Sequence, residues 1–369
     1  MKRILLTLSA MALALTASAQ GGNTRDGGYD GDYKSLYELV SQQQKKNDAF
    51  NLYINFQAAF RENLDPASAG SFFNAKQLRL EMKGTIGKHL NYRLRHRLNK
   101  ARADQADNFA KATDIMMVGW TFNEKWAVSA GKMCQIWGGF EFDENPMYIY
   151  QFSDIVDNMD NYMAGVMVSW HPVPSQEIAF MISNSDNSPY YPARHPVTGI
   201  INWNGSLFDG MLNTRWSYGA QVMGQKELSH MLVLGQQLCL PKVQWYIDYM
   251  GEFDDVDRLG LISGDTGVGN HARYHSVITK VNWQFAPQWN LMGKGMYEVR
   301  SVAGNQALTN YCTSVGWVAS VEFYPVKGQD FRVFLAHIGR NHSFTQASGL
   351  AGGLQHRLEL GFMYRIKAY

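Results

Sequence analysis

Long apolar runs are missing from this chain once its first residues are passed. No apolar stretch after Leu15 approaches the ~18 residues a membrane-spanning helix needs, so helical passage through a bilayer is excluded. Cysteine is scarce as well. Cys134, Cys239 and Cys312 are odd in number and widely spaced, which supports neither a disulfide framework nor a zinc site; they read as small apolar or turn-flanking residues. Charge of one sign is not in excess. Of 34 Lys and Arg against 32 Asp and Glu, Lys2 and Arg3 fall within residues 1–19, leaving 32 against 32. Global charge therefore names no acidic or nucleic-acid partner, and only local clustering can. Catalytic signatures are absent too: there is no G-x-S-x-G, H-E-x-x-H or Walker A pattern. The glycine spacing of residues 264–269 lacks the helix start a phosphate cradle needs, and His171, His195 and His275 have no ligand spacing. We expect no catalytic residue, no metal and no cofactor.

What the chain does contain begins with an export signal. Lys2 and Arg3 precede an apolar run from Ile4 to Leu15, and Ala17-Ser18-Ala19 stands before Gln20. A charged start, a short apolar stretch and small residues at a cleavage point make residues 1–19 a secretory signal peptide. Gln20 is not a cysteine, so a lipid anchor gets no support. Residues 20–49 read as a Gly/Asp-rich leader followed by a helix over 33–46, on Leu36, Leu39, Val40 and Gln43. That helix is either a solvated linker or a small periplasmic coiled-coil or plug element.

From Phe50 the period becomes two. Leu52, Ile54, Phe56, Ala58 and Phe60 alternate with mainly polar residues. Leu78, Leu80, Met82 and Ile86 alternate with Gln77, Arg79, Glu81, Lys83 and Thr85, and Leu90, Tyr92, Leu94 and Leu98 with Asn91, Arg93, Arg95, Arg97 and Asn99. Segments of about ten residues, apolar on one face and polar on the other, suit tilted transmembrane strands. Short turns at 87–89, 123–125, 171–176, 209–210, 240–242, 286–288 and 325–329 alternate with mostly longer connections, such as 101–111, 132–161, 185–197, 254–273 and 340–353. Keeping the short turns on the periplasmic side requires an even count. We expect an all-β fold: a transmembrane antiparallel β-barrel over 50–369 with about sixteen strands, fourteen or eighteen being the alternatives, and a short N-terminal periplasmic helix. Trp126, Trp170, Trp289, Phe285 and Tyr324 should form an interfacial girdle. The chain closes on an aromatic residue, Tyr369, out of phase with the apolar face of strand 354–367.

Two constellations rise above this pattern. Arg93, Arg95 and Arg97 share one strand face, Arg79 and Lys83 share the adjoining one, and Arg61 ends the first strand. Arginine facing lipid at the midplane costs about 2–4 kcal/mol, so this basic stripe belongs to the lumen. Guanidinium groups in series would pass anions between sites. The alternatives are a weakly selective polar wall and a structural salt-bridge array, since Glu81 interrupts the stripe. As water-exposed groups the arginines would act through a screened field, and their removal should leave stability almost unchanged. The second constellation is an inward constriction loop at about 133–160, with Gly138, Gly139, Phe140, Glu141, Asp143 and Glu144 at its start. A loop this long and aromatic is functional rather than disordered. It should narrow the barrel and set acidic groups across from the arginines.

Phe50-Asn51-Leu52-Tyr53-Ile54-Asn55-Phe56, the run Tyr92–Asn99, Gly131-Lys132 leading to Gly138–Phe142, Thr214-Arg215-Trp216-Ser217-Tyr218 and Asp248-Tyr249-Met250 together resemble the phosphate-selective porin O and P family, in particular its Bacteroidetes branch. The resemblance implies sixteen strands, a trimer, a channel narrowed by an inward loop, and conduction of phosphate along an arginine-lined wall. The expected function is passive diffusion of small hydrophilic solutes, anions preferred, across the outer membrane of a Gram-negative bacterium in contact with lipopolysaccharide. The other candidate is a cell-surface adhesion or secretion barrel with a plugged lumen.

Overall fold

In a computed structural model, which describes residues 34–42, 44, 47–65, 69–100, 109–185 and 196–369, sixteen antiparallel strands close into one barrel. The first eight are β1 (Asn51–Asn63), β2 (Gly70–Ile86), β3 (Leu90–Arg97), β4 (Thr113–Thr121), β5 (Trp126–Cys134), β6 (Tyr162–Trp170), β7 (Gln176–Asn184) and β8 (Val197–Leu207). The remainder are β9 (Leu212–Val222), β10 (Leu228–Cys239), β11 (Val243–Asp254), β12 (Ala272–Ala286), β13 (Trp289–Val302), β14 (Cys312–Phe323), β15 (Asp330–Phe344) and β16 (Gly353–Lys367). Each strand bonds its neighbours in sequence, and β1 pairs with β16 from Tyr53↔Lys367 to Asn63↔Arg357. Closure leaves no open edge, which hydrocarbon would not tolerate.

Every short turn anticipated from the sequence joins an even strand to the next odd one, on one rim. The longer connections lie on the other rim, where the β9–β10 connection (223–227) is the short exception. The expected signal peptide and leader up to residue 33, and most of connections 101–111 and 185–197, lie outside the described residues.

The side chains invert the order of a soluble protein. Ile182 is 51% exposed and Leu360 56%, while Glu298 is 2% exposed and Asp248 wholly buried. An outer band of Val118, Phe180, Ile201 and Leu335 is the lipid-facing belt of a membrane barrel. Near the short turns Trp126 stacks on Trp170 at 6.0 Å, and Trp289 packs against Phe323 in a tilted arrangement at 4.6 Å. Tyr324 departs from the expected girdle. It stands in phase with Glu322, one residue beyond the end of β14, so it faces inward, fully buried, and donates to Glu322 at 3.0 Å.

The N-terminal helix is shorter than its sequence stripe. Helix α1 spans Leu36–Ser41, started by a capping box between Ser35 and Glu38 and ended by Gln42 in the left-handed region (φ 57°). A helix this short is marginal alone, and the polar residues after Ser41 offer no apolar face to extend it. It is held against the end of β16: the Tyr37 N–H donates to the Ala368 carbonyl at 3.1 Å, and Tyr369 packs on Tyr37 and Phe50 with centroids 4.9 and 5.6 Å apart. Because the ladder closes on itself, we expect an unboiled detergent sample to migrate apart from a boiled one on a gel, with a mainly β far-ultraviolet spectrum. A single band position and a helical spectrum would refute the barrel.

Candidate functional site

Two β-bulges decide which charges enter the lumen. In β2 an extra residue, Lys76, sits where the β1 register steps from Gln57↔Gln77 to Ala58↔Ala75. In β4 the extra residue is Asp114, between Arg95↔Ile115 and His96↔Thr113. Regular alternation would give each of these positions to the lipid side of its neighbours; a bulge re-aims it. Both side chains point inward, and both are charged.

Asp114 is completely buried and collects three guanidinium groups, Arg97 at 2.6 Å, Arg95 at 3.3 Å and Arg79 at 3.4 Å. Glu81, equally buried, holds Arg93 at 2.8 Å and Arg365 at 3.4 Å. Glu359 holds Arg61 and Arg357, each at 2.8 Å. Lys83 lies over the Tyr53 ring at 5.4 Å, and Arg95 also donates to the Tyr162 hydroxyl at 2.6 Å. The sequence-chosen cations Arg61, Arg79, Lys83, Arg93, Arg95 and Arg97 thus share one wall, β1–β3. Closure through β16 adds Arg357 and Arg365, and the β2 bulge adds Lys76. Together these cations outnumber Glu81, Asp114 and Glu359.

Residues 135–161 form a loop that folds into the barrel and docks on the opposite wall. Its neck closes where the Gln135 N–H donates to Asn161 at 2.8 Å. The Gly138 N–H donates to the Ser217 hydroxyl at 2.7 Å and the Gly139 N–H to the Arg215 carbonyl at 2.9 Å. A Cβ on Gly138 would stand 2.6 Å from that carbonyl, and Gly139 needs φ +87°, so glycine is required at both. Phe140 stacks on Tyr246 at 5.8 Å. Glu141 accepts from Lys294 at 2.5 Å, Asp143 from Arg215 at 2.6 Å and Glu144 from Lys280 at 2.6 Å. These carboxylates therefore have their cations on β9, β12 and β13. That differs from the expected placement across from the arginines, because the far wall supplies its own counter-ions. Further along, Asp154 meets Arg300 at 2.7 Å and also Arg340.

Tyr150 donates to Glu322 at 2.8 Å and Tyr148 to Asp330. Burial holds both phenols well above their ordinary pKa, so they remain donors. Burial raises the Asp143 carboxyl above its ordinary range, an effect that Arg215 beside it reduces without cancelling.

Side-chain exposure varies along both walls, with Arg79 and Arg95 at 3–5% on one and Arg215 at 20% on the other. Under the loop Lys280, Lys294 and Arg332 are at most 4% exposed at the side chain; on the basic wall Arg61, Arg97, Arg357 and Arg365 keep 22–24%. The most exposed of these cations lie along β16 and β1–β3.

The family model for phosphate-selective porin O and P matches residues 50–366. The chain belongs to that family. The protein is an outer-membrane porin, a channel for passive diffusion of small hydrophilic solutes. No curated protein is similar enough in sequence to be matched. Similar solved structures include the outer membrane channel DcaP of Acinetobacter baumannii (9% identity, 88% of this chain and 99% of that one, TM-score 0.65). The trimer form of Vibrio cholerae OmpT has 9% identity over 87% and 100% of the two chains (TM-score 0.59). Salmonella typhi OmpF in complex with daunomycin has 11% identity over 86% and 98% (TM-score 0.60). At such identities the likeness is one of fold.

Within the porin, sequence reasoning passed over Lys76, Asp114, Lys280, Lys294, Arg300, Arg340, Arg357, Glu359 and Arg365, and it gave Arg215 no role at the loop. For Lys76 and Asp114 a usable signal existed: a charged residue in the apolar phase of a strand marks either a bulge or an error of register.

Proposed function

We propose that this porin conducts small anions, phosphate among them, along the basic wall of β16 and β1–β3, with the inward loop as its constriction. The observation that carries this reading is the exposure contrast between the walls. Beneath the loop Lys280, Lys294 and Arg332 are dry and matched to carboxylates, so they contribute little field to the channel. On the basic wall Arg79 and Arg95 are packed, while Arg61, Arg97, Arg357 and Arg365 are wetted and the cations are in excess, and fixed positive charge there concentrates anions and repels cations. Buried Glu81, Asp114 and Glu359 hold the guanidinium groups in place and temper their attraction. A conducting site must bind weakly enough to release.

Residues 1–19 serve as the export signal, the longer connections face outward beside lipopolysaccharide, and the channel works as a homotrimer. The trimer is supported by the trimeric OmpT neighbour and by the family. Transport is diffusion and involves no chemistry, metal or cofactor.

Planar-bilayer recording of the purified full-length protein tests the channel directly. We expect discrete conductance steps that scale with salt concentration. A heat-modifiable barrel that inserts without conducting would instead favour a plugged adhesion or secretion barrel.

A further inference from the structure

The inward loop is anchored from two sides at the same residues. On the far wall the Tyr150 hydroxyl donates to Glu322, and the Tyr150 ring meets Phe334 edge-on at 4.9 Å. From the basic wall the Lys76 ammonium donates to the carbonyls of Ile149 and Tyr150, at 2.6 Å each. Arg357 adds a longer bond to the Tyr150 carbonyl, at 3.4 Å. Lys76 thus reaches from β2 to the loop and grips its backbone. It does so from the extra position of the β2 bulge, a device suited to re-aiming one side chain.

We propose that Lys76 is a positioning residue that draws residues 149–150 toward the basic wall and so sets the size limit of the pathway. The inference rests on the channel reading above and specifies what fixes the width of the constriction. Both bonds are charge-assisted and short, the stronger class of hydrogen bond. They act on backbone carbonyls, so loop side chains can vary while the tether persists. Without the ammonium, the loop keeps its far-wall anchors at Glu141, Asp143, Glu144 and Asp154 but loses its hold on the near side. It should then relax toward β12–β15 and widen the gap.

The test uses the full-length porin in liposomes and planar bilayers, comparing Lys76→Met and Lys76→Arg with the parent. Lys76→Met keeps the length and removes the cation; Lys76→Arg keeps a cation that can reach the same carbonyls. We expect Lys76→Met to raise single-channel conductance and to shift the exclusion limit in sugar-swelling assays toward larger oligosaccharides, with a severalfold gain for sugars the parent barely admits. Lys76→Arg should restore the parent's limit. Neutral sugars are the decisive probe, because a merely electrostatic role would alter ion selectivity and leave their limit unmoved. Should Lys76→Met fail to give a heat-modifiable barrel, Lys76→Gln, neutral and shorter, is expected to show the same shift. An unchanged sugar limit in a folded neutral variant overturns the tether while the channel reading stands. A parent protein that does not conduct at all removes the channel reading, and the tether with it.

Discussion

Replacing Asp154 with Asn is expected to release the inward loop from β13 and β15 while the barrel itself stays closed. Asp154 is 4% exposed; its carboxylate accepts from Arg300 and Arg340, and its N–H donates to Glu298. Asn has nearly the same shape, so the change removes charge and little else. Deleting one partner of a buried ion pair costs about 3–5 kcal/mol. Here the lower end applies, because Arg300 keeps Asp265 at 2.8 Å and Arg340 keeps Glu298 at 3.3 Å. Even ~3 kcal/mol shifts a docked-to-undocked ratio by about two orders of magnitude. The barrel ladder does not depend on this contact, so heat-modifiability should persist. Recordings should show larger, noisier openings, and added protease should cut within 135–161. Parent-like recordings together with parent-like protease resistance would mean that the loop is held by its other anchors alone.

The second large effect is expected on removing Arg93, Arg95 and Arg97 together as Gln. Anion preference should fall because three positive charges leave the conducting wall. Stability should fall as well, and here the structure corrects the expectation drawn from sequence. Arg95 is 4% exposed and Asp114 fully buried; these are packed ion pairs rather than wetted side chains. The triple variant leaves Asp114 with Arg79 and Glu81 with Arg365. Leaving a buried carboxylate wholly unpaired costs on the order of 3–5 kcal/mol, and the remaining partners keep the loss below the sum of two such penalties. Adding Asp114→Asn should recover part of that stability by neutralising the under-compensated acid, while returning only the one unit of positive charge against the three removed, so most of the lost anion preference stays lost. Thermal denaturation and salt-gradient potentials on the triple and quadruple variants check the two effects separately. If selectivity returned in full along with stability, the arginines would be a structural array only.

Much of the fold was legible because lipid enforces a period of two. The faces of Leu52–Phe60 and Leu78–Ile86 could be read directly, and the parity of short turns fixed sixteen strands. Parity held despite the short β9–β10 connection, because Asp209-Gly210 marks the turn between β8 and β9. What escaped was whatever broke the alternation or depended on closure. Lys76 and Asp114 are bulge residues, and a reading in strict alternation assigns them to the lipid side. Arg357 and Arg365 meet Arg61 and Glu81 only because β16 returns to β1, a contact between the two ends of the barrel. The partners of Glu141, Asp143 and Glu144 lie 72 to 153 residues away, at Arg215, Lys280 and Lys294, beyond the reach of any local pattern. Tyr324 was misassigned because residues at a strand end still follow the strand's phase. The helix at Leu36–Ser41 was overextended because helical spacing continued after its apolar contacts had stopped.

The most direct test of the basic pathway is the zero-current potential of the wild-type porin between concentrated and dilute potassium chloride. Excess fixed positive charge along β16 and β1–β3 admits chloride more readily than potassium. Chloride moving down its gradient should make the dilute side negative. Raising the salt on both sides at a constant ratio should shrink that potential, as the Debye length shortens from ~10 Å at 0.1 M to ~3 Å at 1 M. A dilute side that is positive, or a potential of zero at low salt, would contradict the account.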